Sequence, residues 1–408
     1  MRRPRFAGKQ RRMTPGARLS AAIELLDAIL AGDPPERALT RWARASRFAG
    51  SKDRAAVRDI VFEGLRRRRS LGWLGGGETG RAIVAAREVR AGSDPDLLFT
   101  GEGFDPSPLT ADERTALARD LADAPELVKL DVPEALAPDL EAALGPELPA
   151  VMRTMQDRAP VDLRVNTLKT NPRAAMVVLA RDGVQANPLP QLPDALRVEE
   201  NPRLVAASRA YSQGMVELQD VSSQIAAAES GAAPGMTVLD YCAGGGGKSL
   251  ALAAAIGGRG RVLAWDINAR RMTDLPARAR RAGATIDILD AGVLAALGPV
   301  CDLVFVDAPC SGSGVWRRKP GGKWLLTPAE LAKFPPLQDE ILDAALTHVR
   351  PGGLLVYATC SLFRAENEDR AAAFSARHPD WLQLSERRLS PLEGGDGFFL
   401  ARFRAPQA

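Results

Sequence analysis

No apolar run in the 408 residues approaches the roughly 20 consecutive apolar positions that a membrane-spanning helix requires. The opening "MRRPRFAGKQRRM" is charged and has no apolar segment of signal-peptide length behind it, so a cytoplasmic address and no membrane partner are expected. Cysteine is scarce: four residues in a chain of this length are too few for a disulfide framework. With two histidines there is no close Cys/His spacing of the kind that binds zinc, and no metal is expected. Each cysteine therefore has to be judged singly. Internal repeats and long low-complexity segments are also missing. The length is too great for one ordinary domain and suits two or three, each able to bury a core.

What is present is unevenly distributed. The formal net charge of +4 divides into 18 Lys/Arg against 7 Asp/Glu over residues 1–69, a balance of +11, and 36 against 43 over the remainder, a balance of −7. The basic residues concentrate in "RRPRFAGKQRR" and in the run Arg66 to Arg69. A field of that sign attracts polyanions by releasing their counterions, and nucleic acid is the commonest such partner. A solvated helix surface with a basic arm has the same composition, so charge alone does not choose.

Periodicity divides the chain further. Thr14 and Pro15 form an N-cap and first-turn pair, and Leu19, Ala22, Ile23, Leu26, Ile29 and Leu30 recur on one helical face. Ser51 opens a second such run through Val57, Ile60, Val61 and Leu65, whose arginine-rich last turn complements the helix dipole and is expected to face solvent. An all-helical bundle over residues 1–148 follows. The period then changes. "VDLRVNTL" alternates as a strand, Asn171 and Pro172 start a helix, and "VQANPL" and "ALRVEE" form two more short strands, giving a small α+β subdomain within 149–230. From 231 to 408 the chain is α/β: "MTVLDYC", "RVLAWDI", "ATIDILD", "CDLVFVDAP" and "GGLLVYATC" are apolar strands separated mostly by helix-length segments. Such alternation predicts a mostly parallel sheet covered on both faces. The closing "GDGFFLARFR" is expected to add a last hairpin strand at the sheet edge.

The glycine loop "DYCAGGGGKS" follows the first of these strands. As a phosphate-binding loop it has Gly247, Lys248 and Ser249 in place but Cys242 where the first glycine belongs. As a dinucleotide fingerprint it has Gly244 and Gly246 but Ser249 in place of the third glycine. Asp240, beside the loop, disfavours a triphosphate and favours a ligand with ammonium and sulfonium charges. Asp266 ends the second strand 22 residues after Gly244 and is placed for ribose hydroxyls, a role common to dinucleotide and S-adenosylmethionine sites.

Two cysteines bring chemistry to the same edge. Asp307, Pro309 and Cys310 end one strand; Thr359, Cys360 and Ser361 end another. The carboxyl edge of an open parallel sheet is its ligand edge, so both thiols are expected near the glycine loop. Cys301 and the Cys242 side chain are read as inert small hydrophobes.

These residues resemble the Fmu/RsmB (Sun) family of RNA 5-methylcytosine methyltransferases. The likeness rests on "RVNTLK", "VELQDVSSQIAA", the glycine loop, "AWDINARR", "DAPCSGSGVWRRKP", "GGKW", "YATCS", "ENE" and "GDGFFLARFR", and "SKDRAAVRDIVFEGLRRRRS" is similar to the NusB-like domain of the RsmB branch. Gly244 and Gly245 stand where the family has Ala-Pro, Ser249 where threonine is commoner, and Gly321 where an aspartate often follows the proline. The resemblance implies a class I Rossmann-like methyltransferase domain behind the small α+β subdomain and a NusB-like RNA-binding domain. It implies S-adenosylmethionine as cofactor, held by Cys242, Ala243, Gly244, Gly245, Gly246, Gly247, Lys248, Asp266, Arg271, Asp290 and Asp307. The catalytic set would be Cys360 as the nucleophile on cytosine carbon 6, Cys310 for release, and Asp307 near ring nitrogen 3. Arg164, Asn166, Lys169 and Lys248 would touch the substrate, an RNA and by branch a small-subunit ribosomal RNA, and the protein would be a monomer. A non-catalytic RNA-binding factor would be expected to lack the thiols or the loop. A DNA cytosine methyltransferase would use the proline-cysteine thiol and have no need of "ATCS".

Overall fold

The computed structural model describes residues 13–407; the basic stretch "RRPRFAGKQRR" lies outside them. The chain forms two compact units. The first comprises the residues up to Ala137, Met152–Arg158 and Trp316–Leu325, and the second Pro138–Val151, Ala159–Val315 and the chain from Leu326 onward.

The first unit is helical. Its opening helix, Pro15–Leu30, starts where the sequence places it, because the Thr14 hydroxyl accepts the Ala17 N–H at 3.0 Å and proline lacks an N–H that the first turn could not use. Leu19, Ala22, Leu26 and Ile29 are buried, with Leu25 on the same face, while Ile23 and Leu30 are only partly covered. They pack on Val57, Ile60, Val61 and Leu65 of the helix Ser51–Arg66 and on Ile83 and Phe99.

The arginine run does not face solvent as its sequence suggested. Arg66 is buried and donates to the Arg317 carbonyl. Arg67 bonds Gln156 and Asp157, Arg68 bonds Glu78 and lies 5.2 Å from the Trp324 ring centre, and Arg69 bonds the Val132 carbonyl and Glu134. Side-chain exposures of 17, 26 and 15% for Arg67, Arg68 and Arg69 leave little free charge to offer a polyanion. The segment Trp316–Leu325 belongs to this packing: Lys323, fully buried, donates to the Arg66 carbonyl at 3.0 Å, and the Trp324 indole donates to the Leu65 carbonyl at 2.6 Å. Exposed basic residues of this unit include Arg37, Arg41, Arg44 and Arg47, on and just after the helix Pro35–Ala45, and Lys52 and Arg58.

The second unit holds two sheets. The smaller contains β1 (Val161–Val165), β2 (Gln185–Pro188), β3 (Ala195–Glu200) and β4 (Val216–Leu218), all antiparallel in the order β2-β3-β1-β4. The larger contains β5 (Thr237–Asp240), β6 (Arg261–Ala264), β7 (Asp287–Ile288), β8 (Cys301–Asp307), β9 (Val349–Thr359), β10 (Leu382–Leu389) and β11 (Phe398–Arg404). Their order is β10-β11-β9-β8-β5-β6-β7, parallel from β9 through β7. Val304, Phe305, Val306, Leu355, Val356 and Tyr357 are wholly buried, as strands covered on both faces require. The closing strand is not the edge: β11 lies between β9 and β10, antiparallel to both, and the polar, half-exposed "LQLSERRL" of β10 is the edge. Its charges made that strand illegible in the sequence, and they are what an edge needs against pairing with other chains.

The strand order reverses between β5 and β8. Crossovers leave in opposite directions there and open a crevice at the carboxyl ends.

Candidate active site

Four segments meet at that crevice: the glycine loop after β5, the Cys310 loop after β8, the Cys360 loop after β9, and the turn before β11. In the glycine loop Gly246 has φ +80°, and a Cβ there would lie 2.2 Å from Leu275, so the tight turn needs glycine. Asp240 is completely buried; the Ser249 hydroxyl donates to its Oδ2 at 2.6 Å and its Oδ1 has no partner. Burial, with Asp307 adding to it, pushes the Asp240 carboxyl up to about 7 against the Ser249 bond and Lys248. Asp266 is also buried. Its Oδ2 accepts the Gly244 N–H and is 2.9 Å from an Arg271 guanidinium nitrogen, while Oδ1 accepts the Asn268 N–H. Asp290 caps the helix Ala291–Ala295 through the Val293 N–H.

The structure brings Cys310 and Cys360 together, Sγ to Sγ, at 3.5 Å. The hydrogen bond with Cys360, then burial, hold the Cys310 thiol well above its ordinary range. Burial sets the other two cysteines apart: it pushes Cys242 far up, helped by Asp240, Asp307 and Asp266, and Cys301 up to about 11, helped by Asp302. Lys248 sits beside the pair. Its Nζ is 2.7 Å from Asp307 Oδ2 and 5.0 Å from the Phe398 ring centre. Burial works against its charge, but Asp307, Cys360 and Asp240 outweigh that and raise the ammonium above its ordinary value.

The three residues of "RVNTLK" are placed differently. Arg164 is buried, donates to Gln219 at 2.7 Å and leaves Nη1 without a partner. Asn166 is buried and donates to the carbonyls of Gly214 and Ala282, and Lys169 donates to those of Gln213 and Arg281. Asn166 and Lys169 thus tie the small sheet to the end of the helix Leu275–Ala282, and they do so with the groups that would otherwise reach a ligand.

Sequence reasoning missed several residues. Arg278 bonds the Gly245 carbonyl and Glu217, bracing the loop. Gly314 donates to the Cys360 carbonyl at 2.9 Å and accepts from Gly397 at 3.0 Å, knitting the two thiol loops to the turn before β11. Ser311, Ser361, Gln338 and Glu366 form a buried network behind the thiols. The motif "ENE" was visible, but its contact with Ser311 needed the fold.

Comparison with known proteins follows the same outline. Residues 231–404 match the family model for the 16S rRNA methyltransferase RsmB/F, and residues 132–204 match the ferredoxin-like domain of RsmF/B-like methyltransferases. A curated relative, ribosomal RNA small subunit methyltransferase B of Erwinia tasmaniensis, is 35% identical over 257 residues, 60% of this chain and 59% of the relative. The chain spans about three fifths of the curated relatives it matches. The crystal structure of PH0851 covers 96% of this chain and 99% of its own at TM-score 0.76 and 24% identity, a likeness of fold. A methyltransferase homolog protein from Pyrococcus horikoshii covers 69% of this chain and 97% of its own at TM-score 0.61 and 25% identity. Among the described residues no helix is long and apolar enough to cross a membrane.

Proposed function

Because the chain belongs to the RsmB/F family of methyltransferases, we propose that it methylates carbon 5 of a cytosine in small-subunit ribosomal RNA, using S-adenosylmethionine. The observation that carries this reading is the pair of thiols 3.5 Å apart at the ends of adjacent parallel strands.

The residues of the glycine loop suit the methyl donor. Asp240 Oδ1 is a fully buried acceptor with no donor. A cationic ligand above the loop answers that need, and a phosphate does not. The backbone of Cys242 to Lys248, with Asp266, Arg271, Asp290 and Asp307, would hold the adenosyl and methionyl groups. When bound, the donor would supply a methyl group carried on a sulfonium sulfur.

The chain's own residues make carbon 5 reactive. Cys360 thiolate forms a bond to carbon 6, and the electron pair of the 5,6 double bond turns the ring into an enamine nucleophilic at carbon 5. Once carbon 5 is methylated its proton passes to a base on the Cys310 side. The electrons of that C–H bond restore the double bond, and the sulfur–carbon 6 bond breaks to return the Cys360 thiolate. The Glu366 carboxylate adds to what holds the Cys310 thiol above its ordinary range. The Lys248–Asp307 pair offers the ring hydrogen bonds against the charge that develops during addition. RNA phosphates would be gripped by the exposed Arg37, Arg41 and Arg44 of the first unit. The target base has to be unstacked, since A-form helices hide base edges from side chains.

Single-cysteine variants incubated with rRNA and S-adenosylmethionine test the reading. Cys360→Ala abolishes methyl transfer and leaves no covalent species. Cys310→Ala stalls release and accumulates a protein–RNA adduct that survives denaturing electrophoresis and collapses on nuclease treatment. An adduct from Cys360→Ala instead reverses the roles, and no methylation by the wild type rejects the function.

A further inference from the structure

Glu366 is wholly buried, and both of its oxygens are spoken for from two directions. Oε1 accepts the Ser311 backbone N–H at 2.8 Å and the Gln338 amide at 3.1 Å; Oε2 accepts the Ser311 and Ser361 hydroxyls, each at 2.5 Å. Four donors on two oxygens fill the capacity of an ionised carboxylate. Ser311 follows Cys310 and Ser361 follows Cys360, so one carboxylate joins the residues next to both thiols. Gln338 extends the clamp to the Pro309 carbonyl at 3.0 Å, and the Tyr357 hydroxyl fixes the Glu366 backbone by donating to its carbonyl at 2.6 Å.

We infer that Glu366 is a positioning residue that locks the two thiol loops in register and so holds Cys310 and Cys360 at their working separation. The inference rests on the proposed function for its meaning but not for its test. Glu366 reaches the residue after Cys310 through the Ser311 N–H, and its charge adds to the raising of that thiol; Asp339 and Arg370 act on the Tyr357 hydroxyl, and Lys248 is held by Asp307. An anion acting on Cys310 breaks the symmetry of a chemically identical pair.

Replacement by glutamine separates charge from shape. Its carbonyl keeps the Ser311 N–H and Gln338 bonds, its amide can donate to the two hydroxyls, and the charge is gone. The full-length protein, without RNA, is alkylated with iodoacetamide between pH 6 and 9, and the Cys310 and Cys360 peptides are quantified by mass spectrometry. In the wild type Cys310 reacts slowly. Glu366→Gln speeds Cys310 alkylation about tenfold at a given pH, the effect of a one-unit shift, while the circular dichroism melt stays two-state. Glu366→Asp keeps the charge but is one methylene too short to reach both loops, so Cys310 stays slow while kcat falls with KM for S-adenosylmethionine unchanged. Should the glutamine variant fail to fold, Ser311→Ala gives the same kcat-only loss. An unchanged Cys310-to-Cys360 alkylation ratio in Glu366→Gln, fast alkylation of Cys310 in the wild type, or a loss that falls on KM overturns the inference. Absence of rRNA methylation by the wild type overturns the proposed function alone, because alkylation needs no substrate.

Discussion

Replacing Gly314 by alanine tests whether the junction of the three loops is as tight as its hydrogen bonds imply. A Cβ on Gly314 would lie 2.0 Å from the Gly397 carbonyl oxygen and 2.9 Å from that of Cys360. Both neighbours are backbone, so no side chain can rotate away, and relief requires a loop to move by about 1 Å. Overpacking of this kind costs about 1–3 kcal/mol. The same movement stretches the bonds Gly314 to Cys360 and Gly397 to Gly314, now 2.9 and 3.0 Å, adding about 1 kcal/mol. A total near 2–4 kcal/mol lowers the melting temperature of a unit this size by about 5–15 °C. The effect on chemistry is larger: a displacement of about 1 Å between Cys310 and Cys360 reduces kcat on the order of 100-fold. Differential scanning fluorimetry and single-turnover methylation of rRNA measure the two. Gly322→Ala is the control, since a Cβ there meets nothing within 4 Å, and it leaves both readings unchanged or gains up to about 1 kcal/mol of helix stability. A Gly314→Ala protein melting within about 1 °C of wild type and turning over at full rate would refute the reasoning.

Lys323 gives a pH dependence. Burial lowers its folded pKa from 10.5 to about 8, so the folded state disfavours its proton. Its contribution to stability is full above pH 10.5 and is lost as pH falls towards about 8, by at most about 3 kcal/mol. Thermal melts should therefore show the wild type gaining on Lys323→Met as pH rises through that window, and a constant difference would contradict it. Calorimetry should detect micromolar S-adenosylmethionine binding that Asp240→Asn weakens about tenfold by removing the charge over the loop; binding of ATP or NAD in its place would sink the cofactor assignment. Replacing Arg37, Arg41 and Arg44 together by glutamine should reduce the slope of log affinity for rRNA against log salt by about 2 to 3, with S-adenosylmethionine affinity unchanged. Such point variants are better than deleting residues 1–137, because Trp316 and Lys323, buried in the first unit, would lose their packing.

The sequence by itself determined the periodic elements and the ligand edge. Thr14-Pro15 caps a helix through local bonds, the apolar face from Leu19 to Ile29 calls for a helical core, and uninterrupted apolar strands require a sheet with two covered faces. The glycine loop and the two cysteine motifs follow strands directly, so their place at the carboxyl edge is a consequence of chain direction. Interactions between residues far apart in sequence were decided by tertiary structure. Arg66, Arg67 and Arg69 read as free charge because their partners Gln156, Asp157, Glu134 and Arg317 lie 65 to 251 positions away. Arg164 and Asn166 are buried, which their places in the sequence do not show. Strand β10 lacks an apolar signal because an edge strand does not need one. The two thiols are chemically alike in sequence, and only the fold brings them to 3.5 Å and joins the residues that follow them, Ser311 and Ser361, through one buried carboxylate, Glu366.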